Sequence, residues 1–193
     1  MMNLRLILPT GLFTLVTLLS FSIWAFGSRI FNSEPSLYAM CALVFLGLGG
    51  LALTPGSILE TKKDVAGFCI RFAVGFAAYA FLWSISWFTF RDTFGEILGS
   101  FLGLLTIIAI LRRETTSTRP LLTATAVVFL WHTLGYYTGG LTYQALQGRG
   151  QLGIQLPFEP NTIVTLARLS WGLFFGLGFG IGLASLIQRP RTS

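Results

Sequence analysis

Four ionisable side chains, Arg71, Glu96, His132 and Arg168, stand inside long apolar runs, while the rest of the thirteen Lys and Arg and the seven Asp and Glu crowd into short breaks between those runs. In hydrocarbon an ionisable group is costly unless it is paired or wetted, so each of the four needs a partner or a purpose. His132, the only histidine, is the deepest of them. Tyr136 follows it at i+4 and Tyr143 lies farther along the same face, with Tyr137 and Gln144 on the adjacent stripe. A helix that is polar over half its length turns that half away from lipid. His132, Tyr136 and Tyr137 are therefore expected either to line a small outward cavity or to fill a polar core.

Glu96 has two candidate roles. Thr93-Phe94-Gly95-Glu96 matches the S/T-x-x-E capping box, in which Thr93 would cap a helix and Glu96 would reach back to the Thr93 N–H. Arg168 lies in the same leaflet with only apolar neighbours, so a Glu96–Arg168 ion pair is the other expectation. Arg71 comes about 9 Å into its run at 1.5 Å per residue, near enough to snorkel to the headgroups.

Catalytic readings find little support. Ser100 and His132 are the residue types of a serine hydrolase, but Ser100 lies near the end of its run and the surrounding signature is missing. No run holds two buried acids. Cys41 and Cys69 lie in different runs with no Cys-x-x-Cys and no histidine pair, which argues against a metal centre and bis-histidine haem ligation. The expectation is a protein that is not an enzyme and has no resident metal or cofactor.

The elements that carry these residues are read from hydropathy. Hydrophobic residues make up 53% of the 193-residue chain and charged residues 10%, with mean hydropathy +0.74, as expected of an integral membrane protein. A crossing needs about 20 apolar residues. Six runs qualify, at about 6–26, 37–53, 65–88, 94–111, 121–143 and 163–187. They are apolar on every face, unlike the alternating strands of a barrel. The fold class is thus an all-α bundle of six transmembrane helices forming one domain over 1–193.

The first run follows Arg5 and ends in Ala25-Phe26-Gly27, as a secretory signal does, but it exceeds an h-region of about 7 to 15 residues and is read as the first span. One side of the bundle collects Arg5, Lys62, Lys63, Arg112, Arg113, Arg119, Arg189 and Arg191, and the other only Arg29, Arg91 and Arg149. The positive-inside rule then places both termini in the cytoplasm and the protein in the cell's inner (plasma) membrane, among anionic lipids. The net charge of +6 does not point to nucleic acid, because no basic cluster is interleaved with aromatics. The outer connection 144–162, rich in Gly and Pro, is long enough to fold over the bundle mouth as a lid.

Gly95, Gly99 and Gly103 form one small stripe and Gly172, Gly176 and Gly180 another. Such spacing lets helices approach closely in lipid, so glycine-mediated packing is expected, with the two striped helices as neighbours. Trp24, Trp83, Trp87 and Trp171 fall near outer ends, as interfacial anchors do. In size, span count and terminus placement the chain resembles the substrate-binding subunits of energy-coupling-factor vitamin transporters, but it lacks the alanine-spaced pattern on the first helix. Two function classes follow. One is a transport or small-molecule-binding component with a polar cavity between spans 4, 5 and 6. The other is a non-catalytic accessory subunit that packs on partner membrane subunits or on itself.

Overall fold

A computed structural model describes residues 4–27, 30–55, 57, 59, 61–112, 120–148, 153, 154 and 156–187, with only the backbone at positions 4 and 5. Among these residues six helices follow one another: α1 Leu4–Phe26, α2 Glu34–Leu53, α3 Lys62–Phe90, α4 Thr93–Leu111, α5 Leu121–Leu146 and α6 Pro160–Ile187. Five of them, α1 from Leu6 onward, α2, α3, α4 and α6, are long and apolar enough to cross a membrane. The expected fifth span falls short of that standard. At 26 residues α5 has the length, but its threonines, tyrosines, glycines and His132 dilute its apolar character.

Local chemistry sets the helix ends. Ser33 caps α2, its hydroxyl accepting from the Ser36 N–H. Thr61 and Asp64 form a capping box at the start of α3, with the Asp64 N–H donating to Thr61 Oγ1 and the Thr61 N–H to Asp64 Oδ2, both at 3.1 Å. Arg91 ends α3 in the left-handed region at φ 55°, and its N–H donates to the Trp87 carbonyl at 2.7 Å. The next residue, Asp92, caps α4 by accepting from the Gly95 N–H at 2.9 Å. The capping box expected at Thr93 and Glu96 therefore does not form. Thr93 is already the first helical residue, the anionic Asp92 holds the cap, and the Glu96 carboxylate is left for other contacts.

The helices form an antiparallel ring in chain order, closed by contact of α6 with α1. Its centre is aromatic. Phe13 from α1 meets Phe45 of α2 at 5.5 Å, Phe72 of α3 at 6.2 Å and Phe179 of α6 at 5.9 Å, all edge to face. The outer surface carries Leu15, Leu43, Ile70, Phe81 and Phe88, each more than half exposed. Such a surface suits a membrane-embedded protein and is unlike that of a water-soluble bundle.

The two glycine-striped helices are not neighbours. α4 lies against α3 and α5, whereas α6 lies against α1 and α5. A Cβ added at Gly99 would stand 2.8 Å from Trp83 Cα, on α3. One added at Gly176 would stand 2.9 Å from Thr14 Cα, on α1. Gly135 of α5 meets Gly178 of α6, where an added Cβ would lie 3.0 Å from the facing Cα. A run of small residues admits a close partner without naming it.

The connection expected over 144–162 is shorter, because α5 runs to Leu146 and α6 begins at Pro160. In its described part the Ile154 N–H donates to the Ala145 carbonyl at 2.9 Å, which turns this stretch back along the end of α5. The rest of the expected lid, 149–152 and 155, lies outside the described residues, as do Arg29, Arg113, Arg119, Arg149, Arg189 and Arg191 and the side chain of Arg5.

Candidate functional site

At the end of the bundle where α4 begins and α5 finishes, three polar side chains converge from two helices. Asp92 takes the cap and leaves Glu96, in the first turn of α4, without that duty. On α5, Tyr136 and Tyr137 are consecutive, so they diverge by about 100° around the helix and can approach one carboxylate from two sides. The Tyr136 hydroxyl donates to Glu96 Oε1 at 3.5 Å and the Tyr137 hydroxyl to Glu96 Oε2 at 3.4 Å. Their rings are perpendicular, with centroids 5.3 Å apart. Both bonds are long, since a hydroxyl bound to a carboxylate usually sits at about 2.5 to 2.7 Å.

One turn deeper lies a second layer. The His132 ring stacks on Tyr136 at 5.9 Å with 14° between planes, and only 1% of the residue is exposed. Its Nε2 shares a 2.8 Å hydrogen bond with the Tyr79 hydroxyl of α3. Ser100 lies one turn along α4 from Glu96 and is buried. Phe175 and Phe179 of α6 close on the imidazole edge to face at 5.6 and 5.1 Å. Nδ1 is buried without a hydrogen-bond partner among the described residues. The hydroxyl on the imidazole Nε2 is thus that of Tyr79, whereas serine-hydrolase chemistry needs a serine hydroxyl on the imidazole.

Arg168 is elsewhere. Its Nη1 donates to the Trp24 carbonyl at 2.8 Å, and its guanidinium lies 4.6 Å from the centroid of the Trp24 ring. The last turn of α1 has no basic residue of its own. Arg168 supplies one from α6, satisfying a terminal carbonyl at the negative end of the helix dipole. The expected Glu96–Arg168 pair is therefore absent, because the two residues belong to seams on different sides of α5. Arg71 folds back along its own helix, with Nη2 2.9 Å from the position of a Gly67 Cβ. That is the direction snorkelling requires.

A cleft of about 250 Å³ opens nearby, lined by Ser20, Phe21, Trp24, Tyr38, Cys41 and Trp171. Trp171 joins it to the polar group, since its ring meets that of Tyr136 at 6.0 Å. The cleft lies between α1, α2 and α6 rather than between spans 4, 5 and 6. Hydropathy and spacing single out Glu96, His132, Tyr136 and Tyr137, which come together, and Arg168, which does not join them. They miss Tyr79, although a hydroxyl in the middle of an apolar helix was a usable signal. They also take Trp24 and Trp171 only as anchors. Among the described residues no group of three or more His, Cys, Asp and Glu is placed to hold a metal ion. Comparison with known proteins returns no matching family model, no matching curated relative and no matching solved structure.

Proposed function

We propose that this chain is a non-catalytic small-molecule-binding component of a membrane transport system, with its ligand site at the outer end of the bundle. The observation that carries this reading is the Glu96, Tyr136 and Tyr137 group. A carboxylate spared from capping, in the first turn of an apolar helix, is offered two loosely held phenols, and ionisable groups in a span are functional candidates by default. The aromatic cleft beside it, reached through Trp171, supplies apolar contact area for a bound molecule. The site is read as outward-facing, with α5 crossing as a sixth span inside the ring, both termini in the cytoplasm and the protein in an inner membrane among anionic lipids. Glycine stripes acting as zippers hold the remaining seams.

The test is thermal unfolding of the detergent-purified protein against a panel of metabolites. At least one member should raise the midpoint by a few degrees, following mass action. Tyr136→Phe should abolish that rise without changing the midpoint of the free protein by more than about 2 °C. If no member shifts the midpoint and the protein purifies with other membrane subunits, the accessory-subunit reading replaces this one.

A further inference from the structure

We infer that the Glu96 group recognises a primary ammonium, so that the ligand is an amine with an apolar body. The inference rests on the binding reading above and names the chemistry of that site. Glu96 carries a formal negative charge, yet no cation among the described residues pairs with it. Arg168 is engaged with Trp24 on another seam, and no hydrogen bond links the carboxylate to Arg91, which ends α3 at the same end of the bundle. Its capping duty is taken by Asp92. Among the described residues, the geometry therefore gives Glu96 neither a capping role nor an ion pair.

What remains is a cluster of oxygens from three side chains. Each phenol donates its single proton to Glu96 and keeps lone pairs free. An R–NH3+ group has three N–H donors and no acceptor, which matches a carboxylate flanked by two phenol oxygens. The donor to carboxylate distances of 3.4 and 3.5 Å leave each present bond short of its optimum. An ammonium inserted among the three oxygens gains charge-assisted bonds that the free site lacks. An anion would meet Glu96 with repulsion. A neutral alcohol would forgo the charge-assisted part. The apolar body of the amine would lie on the aromatic surface that Tyr136 shares with Trp171, where an adjacent cation is also favoured by the ring faces.

The experiment compares 2-phenylethylamine with 2-phenylethanol as probes, at equal concentration, by thermal unfolding and by titration of intrinsic fluorescence in detergent. The amine should shift the midpoint and the alcohol should not. Glu96→Gln, which keeps the shape and removes the charge, should weaken the amine by about tenfold or more, while Tyr137→Phe should weaken it less. Equal responses to amine and alcohol, or undiminished amine binding in Glu96→Gln, would overturn the assignment. Should Glu96→Gln fail to fold, the amine and alcohol comparison on the natural protein decides alone. A neutral or anionic metabolite that binds and loses its effect in Tyr136→Phe would sink the amine but keep the binding reading. No response from any probe or metabolite would remove both.

Discussion

The seam between α5 and α6 and the seam between α4 and α5 solve the same problem with opposite chemistry. On the first, Gly135 faces Gly178 backbone to backbone, and nothing larger fits without displacing a helix. On the second, the helices meet through long side chains. Glu96 reaches Tyr136 and Tyr137, and Phe101 meets Phe129 edge to face at 5.6 Å. The α3/α4 seam resembles the first, with Gly99 against Trp83 and Gly103 against Tyr79. Close backbone contact in lipid gains dispersion energy over a wide area and has one good arrangement. Side-chain contact across a wider gap has many arrangements of similar energy. The α3/α4 hairpin should therefore behave as one rigid unit and α5, α6 and α1 as another, with the polar layers lying between them.

The comparison breaks most easily at its tight side. Gly178→Val places a branched side chain against the Trp131 carbonyl and the Gly135 backbone, and should cost about 3 kcal/mol or more. The readout is loss of the cooperative unfolding transition in detergent or failure to purify as a monodisperse species. On the polar side the His132 and Tyr79 bond should be worth less. A double-mutant cycle between Tyr79→Phe and His132→Ala should return a coupling of about 0.6 to 1.7 kcal/mol, the usual range for hydrogen bonds between membrane helices. A coupling near zero would mean that the 2.8 Å bond is incidental to packing. The smallest effect belongs to glycines outside both seams. Gly47→Ala meets open space and should shift stability by no more than about 0.5 kcal/mol, which isolates crowding, rather than loss of glycine itself, as the cause at Gly178.

What could be read from the amino acids follows from which quantities are local. Span positions depend on runs of about 20 apolar residues, and five of the helices announce themselves in this way. The polarity of α5 is equally plain. Two of the residues that lower its hydropathy, Tyr136 and Tyr137, are those that gather with Glu96. Partners are not local. Nothing around Arg168 points to the Trp24 carbonyl 144 positions away, and nothing around His132 points to Tyr79. The cap of α4 failed for a subtler reason. Asp92 and Thr93 are both good caps, and the choice depends on where the left-handed residue Arg91 ends α3. The glycine stripes tell which helices can be approached closely but not by what, so they do not reveal that α4 packs on α3 and α6 on α1 and α5.

Only Arg91 and Asp92 lie between α3 and α4. A turn that short cannot hold one helix in the bilayer while the other waits outside it, so the pair has to be delivered to the membrane together, as a hairpin, during synthesis. With both termini in the cytoplasm, as proposed above, both of its polar residues would be carried across the hydrocarbon at the hairpin's leading tip. The opposite charges of these two residues would ease that passage, since the turn itself carries no net charge for the membrane potential to act on.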